Sequence, residues 1–292
     1  MAIYPLRQIE PAADATALYD AWLGELRESL ERGDDRYELC RRTLIGLYYP
    51  GLAGTDPKTL PLATQVALAQ MDARNVTLEP EYYAEIDTQR FYERKPLLWM
   101  WQMFDKSPLG GNVHLGVRFR RLLAPYIFNS VGRNFKCFHF VEFSFGYNMD
   151  VGDDVVVHRN VLLDDRGGIT LGNKVSISDF ANIYSHTHSI VDQQDVSDLR
   201  TVIGDGVRIT YHATVLAGTQ VGDNAMVGAM ALATKDVRPY HVNVGIPAKS
   251  VRVKPNAPPE VYKLTLRQDA GEDPDAGGDV DAGEDVDTEE VA

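Results

Sequence analysis

Large apolar side chains recur every six residues through the second half of this chain. They stand at Phe145, Val151, Val157, Leu163 and Ile169, resume after a two-residue slip at Leu171, Ile177 and Ile183, and restart at Ile203, Ile209, Val215, Val221 and Val227. Four places after these markers the positions are nearly all small or β-branched: Met149, Val155, Val161, Gly167, Val175, Ala181, Thr187, Val207, Ala213, Thr219, Ala225 and Ala231. A period of six is neither the helical 3.6 nor the alternation of a plain strand, and internal repetition of this kind predicts a β-solenoid. Each hexad supplies one short strand and one turn. Three hexads close a triangular coil, and coils stack at roughly the 4.8 Å strand spacing. Both slots point inward, the bulky one filling the prism and the small one permitting the corner. Gly, Asp and Asn in GDD, GNK, GDG and GDN supply the backbone freedom for turning.

The first 130 residues or so carry a different grammar. Leu18, Trp22, Leu26 and Leu30 stand at steps of four and predict one apolar edge on a helix that stops near Gly33. Further helices are predicted over Tyr37 to Tyr48, Leu62 to Asp72, Leu97 to Phe104 and Phe119 to Ser130, with Pro50, Gly51, Gly54 and Pro57 marking a loop. This region, 1–133, is long enough to cap the open end of a prism or to form a lid over an acceptor. The solenoid is expected over 134–254, and a C-terminal extension over 255–292.

Of the 292 residues, 42 are acidic and 29 basic, but eleven of the acids fall between Asp269 and Ala292, where there is no Lys or Arg. The remainder carries 31 acids against 29 bases, so the body is nearly neutral and has no basic excess with which to hold nucleic acid. The tail, with its repeated DAG motif and few bulky apolar residues, is expected to be disordered, and it lacks the ligand spacing of a calcium loop. No apolar run approaches the roughly 18 residues needed to span a bilayer. Two cysteines, Cys40 and Cys137, cannot form a disulfide framework and have no metal-ligand spacing, which predicts a reducing, cytoplasmic compartment.

The segments FSFGYNMDVGDD, NVLLDDRGGITLGN, ISDFANIYSHTHS, TVIGDGVRI, VLAGTQVGDNAMVGA, ATKDV and VGIPAKSVR resemble those of the hexapeptide-repeat acyltransferases, most closely the maltose and galactoside O-acetyltransferase branch. The likeness runs from about Arg118 to Lys254. It implies a mainly β fold, a left-handed parallel β-helix, assembled as a homotrimer and using acetyl-CoA as cosubstrate. The helical leader matches only loosely.

The hexad reading places Ile183 in a bulky slot and Thr187 in a small one, so His186 and His188 flank an inward residue and face outward. From Ser189 to Val202 the period fails and a loop leaves the coil. Histidine titrates close to working pH and suits removal of a hydroxyl proton during attack on a thioester. His188 falls where the family's histidine base stands, with His186 as a flanking or orienting neighbour. The same resemblance assigns acceptor binding to Asn160 and Asp165, the latter beside Asp164, although Asn and Asp also favour corners. For coenzyme A it points to Thr234 along the pantetheine and to Lys235, Lys249 and Arg252 near the phosphates. Arg208 and Tyr211, also placed with the coenzyme-binding residues, depart from the family, which carries a Trp and an oxyanion-holding Ser here, so the acyl pocket and the acceptor need not be those of a sugar acetyltransferase. His114, His139, His158, His212 and His241 read as packing or surface residues.

The expected reaction is acetyl transfer from acetyl-CoA to a hydroxyl of a sugar, glycan or related small molecule, without metal. Three alternatives stand beside it: N-acylation of an amino sugar or xenobiotic, a non-catalytic binding protein on the same prism, and a zinc enzyme of the γ-carbonic-anhydrase kind. The last needs HxxxxH where this chain has HxH.

Overall fold

The computed structural model describes residues 9–262. The expected disordered tail lies outside the described residues. Helices come first. α1 (Ala13–Arg32) ends at Gly33, whose φ of 76° makes the left-handed cap. α2 (Arg36–Tyr48) starts at Asp35, whose carboxylate accepts from the Tyr37 amide. α3 (Leu62–Ala69), α4 (Thr88–Lys106) and α5 (Val113–Ile127) follow.

The buried face of α1 is Leu23, Leu26 and Leu30, whereas Leu18 is 70% exposed. Steps of four overshoot a 3.6-residue turn by about 40° each, so a stripe read at that step drifts off the contact face. α4 begins well before Leu97, at the Asp87 cap, and holds Pro96 within it. α5 begins before Phe119, at the Asn112 cap, and ends before Ser130, which is already in a strand.

The solenoid winds from Ser130 rather than from residue 134. Its first turn is β1 (Ser130–Val131), β2 (Lys136–Cys137) and β3 (Glu142–Phe143); its second is β4 (Met149–Val151), β5 (Val156–Val157) and β6 (Leu162–Asp164). The third is β7 (Ile169–Leu171), β8 (Ser176–Ile177) and β9 (Asn182–Tyr184), after which a hairpin, β10 (His186–His188) and β11 (Val196–Asp198), interrupts the coil. Winding resumes with β12 (Thr201–Ile203), β13 (Arg208–Ile209) and β14 (Thr214–Val215), then β15 (Gln220–Val221), β16 (Met226–Val227) and β17 (Leu232–Ala233). β18 (His241–Val244) extends the second face and β19 (Lys249–Val253) returns antiparallel along its edge. The three faces are parallel sheets in the orders β1-β4-β7-β12-β15, β2-β5-β8-β13-β16-β18 and β3-β6-β9-β14-β17.

Register explains the two-residue slip. Ser130 pairs with Asp150, Asp150 with Thr170, Thr170 with Val202 and Val202 with Gln220, so successive turns take 20, 20, 32 and 18 residues. The longer turns place two inward residues on one first-face strand: Met149 with Val151, Ile169 with Leu171 and Thr201 with Ile203 are all buried. The 32-residue turn contains the hairpin.

Corners are built from the residue types that permit them. Asn134, Asp154, Lys174, Gly206 and Asn224 stack along one edge in the left-handed region, with φ between 56° and 67°. The preceding residues form a ladder. Asp153 Oδ1 accepts from the Arg133 amide at 2.7 Å, Asn173 from Asp153 at 2.8 Å, Asp205 from Asn173 at 2.6 Å and Asp223 from Asp205 at 2.8 Å. Each side chain satisfies the corner donor of the turn before it.

Helices close the starting end of the prism, as a cap. The first turn is filled by Phe135 and Phe143, and Trp101 of α4 meets Phe143 edge-on at 5.3 Å. One continuous apolar cluster runs from α1 to β17. Beneath the cap, Arg120 Nε donates to Asp105 Oδ1 at 2.8 Å, while Asp105 Oδ2 accepts from the Phe140 amide at 2.8 Å. This ties α4 and α5 to the first corner of the coil.

Candidate active site

The chain leaves the coil at Ser185, earlier than the hexad pattern predicts. Ser185 is buried; its Oγ donates to the Asp164 carbonyl at 2.5 Å and accepts from the Gly167 amide at 2.9 Å. Thr187 is therefore exposed rather than inward, and pairs with Ser197 across the hairpin. Ladder bonding to β11 has replaced the stacking that would have turned it in. Return to the coil is fixed by the Leu199 amide on the Ser185 carbonyl at 2.8 Å and by Thr201 Oγ1 on the Tyr184 carbonyl at 2.6 Å. Arg200 then reaches Thr170 Oγ1 at 3.0 Å and Asp150 Oδ2 at 3.2 Å.

On this hairpin His186 is half-buried and His188 exposed, with ring centroids 5.2 Å apart and planes nearly perpendicular. His186 Nδ1 meets Asp164 Oδ2, and Asp164 Oδ1 accepts from Ser144 Oγ at 3.0 Å. His188 Nδ1 lies 2.7 Å from the Gln193 carbonyl. Both partners accept, so each ring donates from Nδ1 and is left with Nε2 as its unengaged nitrogen.

Behind the pair, Arg166 Nε donates to Glu85 Oε1 at 2.5 Å and its guanidinium lies 3.9 Å above the Tyr83 ring. Asp198 stands opposite His186 in the hairpin register. Burial, then the charge of Glu85, pushes its carboxyl above the usual range against the pull of Arg166 and His186.

The two acceptor candidates lie at opposite ends of β6. Asn160 is in the corner before that strand, where φ of 55° accounts for its residue type. Asp165, after it, is wholly buried. Its Oδ1 accepts from the Phe145 amide at 2.7 Å and its Oδ2 from the Asn148 amide at 3.2 Å, so it holds a corner and presents nothing to solvent. This corrects the sequence expectation: of the adjacent pair, Asp164 faces the histidines. Burial pushes the Asp165 carboxyl up to about 7.

The coenzyme candidates divide into two groups. Thr234 and Lys235, both exposed, follow β17 on the edge from which the hairpin springs. Arg208 on β13, Tyr211 at the next corner, and Lys249 and Arg252 on β19 are exposed on the second face and its borders. The link from β18 to β19 crosses β17, where the Ala248 amide donates to the Leu232 carbonyl at 2.7 Å, so β19 begins beside the strand that leads to Thr234. Of the remaining histidines, His158 and His212 stack on Phe138 and Phe180, and His241 is buried.

Sequence reasoning passed over Ser144, Ser185, Arg166, Glu85 and Tyr83. The turn period could have placed Ser144 beside Asp164, but residues 83 and 85 reach the site only through the fold of the cap. Among the described residues no group of three or more His, Cys, Asp or Glu side chains is arranged to hold a metal ion, and no helix is long and apolar enough to cross a membrane.

No protein-family model matches the chain. The galactoside O-acetyltransferase of Escherichia coli K12 is 29% identical over 140 residues, 47% of this chain and 69% of that protein. A crystal structure of a galactoside acetyltransferase in complex with coenzyme A superposes with a TM-score of 0.52 at 23% identity, over 59% of this chain and 85% of the other. A maltose O-acetyltransferase from Clostridium difficile 630 covers 59% of this chain and 91% of its own at 26% identity, with a TM-score of 0.48. Over about half its length the chain is thus similar in sequence to a galactoside O-acetyltransferase, and it shares the parallel β-solenoid fold of a galactoside acetyltransferase.

Proposed function

We propose that the chain is an acetyl-CoA-dependent O-acetyltransferase acting on a sugar or a related hydroxylated small molecule, with His188 as general base. The observation that carries this reading is the hairpin itself. It breaks a regular coil to display two imidazoles whose Nδ1 atoms are engaged and whose Nε2 atoms are available. His188 is the more exposed and so the more accessible to an acceptor. His186, held by a buried carboxylate, sets the wall against which the acceptor is oriented.

In this reaction His188 Nε2 takes the proton of the attacking hydroxyl as its oxygen adds to the thioester carbonyl. The tetrahedral oxyanion then collapses, the carbon–sulfur bond breaks, and the thiolate recovers the proton from the imidazolium. The acceptor gains an acetyl ester and free coenzyme A departs. Backbone amides at the corner can stabilise the oxyanion.

Thr234 and Lys235 share the hairpin's edge, while Lys249, Arg252 and Arg208 supply cations of the kind that phosphate oxygens require. The active form is proposed to be a homotrimer, in which a neighbouring copy packs against the hairpin edge. The fully exposed Ile190 and Val191 at the loop tip favour such a contact. The decisive experiment measures coenzyme A release by the full chain over a panel of neutral sugars and amino sugars. Acceptor-dependent release is the expected result; its absence in a protein that binds coenzyme A would leave a non-catalytic binding protein.

A further inference from the structure

A cleft of about 290 Å³ lies between the cap and the third face of the solenoid. One wall is Tyr83 with Gln102 and Lys106 of α4; the other is Phe140, Glu142 and Ser144 at β3. Its size is at the lower end of the roughly 300–1,000 Å³ typical of small-molecule sites, suited to a single ring rather than a nucleotide. Most of the cap wall lies outside the stretch that resembles known acetyltransferases.

Two observations define what the cleft would hold. Neither the Gln102 amide nor the Glu142 carboxylate has a partner among the described residues, so hydrogen-bonding capacity is unused beside the Tyr83 and Phe140 rings. Aromatic surface next to free donors and acceptors matches a pyranose, which has a C–H face and a rim of hydroxyls. Charge also discriminates. Glu79 and Glu142 outnumber Lys106, while Asp105 is paired with Arg120, so an anionic ligand is disfavoured.

The cleft also touches the candidate chemistry. Ser144, in its wall, donates to Asp164, which meets His186. Tyr83, in the opposite wall, lies under Arg166, which pairs with Glu85. Resting on the acetyl-transfer reading, we propose that this cleft is an outer acceptor subsite, holding the non-reacting ring of an uncharged saccharide of two or more rings.

The test uses the full chain, acetyl-CoA and two sets of probes: methyl glucoside and methyl galactoside, and the two-ring methyl maltoside and methyl lactoside. At least one two-ring probe should show a higher kcat/KM than its one-ring counterpart. The double substitution Gln102→Leu, Glu142→Gln should lower that two-ring to one-ring ratio about tenfold, the size of one or two lost ligand hydrogen bonds. Calorimetric binding of the same probes separates the two readings. Two-ring binding that weakens in the variant, without any thioester consumption, would retain the subsite and reject acetyl transfer. Equal treatment of one and two rings by the wild type, or an undiminished preference in the variant, would overturn the proposal.

Discussion

Asp164 and His186 stand 22 residues apart and meet through carboxylate and Nδ1, one turn of the solenoid bringing the end of β6 beneath the start of the hairpin. The carboxylate is buried and its other oxygen accepts from Ser144, so the imidazole is aimed by a fixed group rather than by solvent. Replacing Asp164 by Ala is expected to reduce kcat by about tenfold to a hundredfold, the usual cost of losing an orienting partner. Asp164→Asn should recover part of this, because an amide oxygen can still accept the Nδ1 proton. Steady-state kinetics on the three proteins, with coenzyme A affinity as control, decide the point; an unimpaired Ala variant would deny Asp164 the role.

The roles proposed for the two histidines can be separated. His188→Ala removes the proposed base and should lower turnover by roughly 10²–10⁴ while coenzyme A binding persists. His186→Ala should cost less. A reversed order of severity would transfer the base to His186, whose bond to Asp164 is the observation favouring that exchange.

Gly167 sits under the base of the hairpin. A Cβ there would come within 2.1 Å of the Ser185 carbonyl oxygen and 2.5 Å of the Leu199 amide nitrogen, both backbone atoms in the strands' closing bonds. Gly167→Ala must displace the hairpin, and with it both imidazoles, while the stacked turns on either side keep their ladders. Near-complete loss of acetyl transfer with native circular dichroism is expected. Wild-type kinetics in this variant would mean that the histidines need no fixed placement.

Asp165 makes stability depend on pH. Burial raises its carboxyl from 3.8 to about 7 in the folded protein. Between those values the native state keeps a proton that the unfolded chain has released, so this group's contribution is full below about pH 4 and is lost as pH rises through about 7. Asp165→Asn removes the dependence, at the cost of the acceptor for the Asn148 amide. Thermal melts at pH 5 and pH 8 should show a smaller fall in Tm with pH for the variant than for the wild type. Parallel behaviour would place the ionisation of Asp165 elsewhere on the pH scale.

The solenoid was legible because each strand is only two or three residues long and each turn reuses the same slots, so burial imprints a period directly on the chain. Corners were legible for a related reason: Asp153, Asn173, Asp205 and Asp223 recur where each must satisfy the preceding turn's amide. The histidines were visible as an interruption of that rhythm. Their surroundings were not. Glu85 reaches Arg166 across 81 residues, and whether Thr187 turns in or out depends on the competing ladder with Ser197 rather than on any local pattern. Leu18 misled for a geometrical reason, since a four-residue step does not follow the buried side of a helix.

The cap's attachment gives the last prediction. Arg120 and Asp105 are both almost fully buried, and between them they bind Gly110, Cys137 and Phe140 backbone atoms. Phe140 occupies a left-handed corner, with φ of 58°, and its amide is held by Asp105. Burial pushes the Asp105 carboxyl up, against the lowering effect of the Arg120 charge. Asp105→Ala would strand a buried guanidinium, a change worth roughly 3–5 kcal/mol and about 10 °C in Tm. Joint replacement, Asp105→Leu with Arg120→Met, should be milder than the sum of the single changes, because neither leaves a lone charge behind. Denaturant melts of the four proteins measure the coupling. Additive losses would mean that the two side chains act independently and that the cap is held by its aromatic contacts alone.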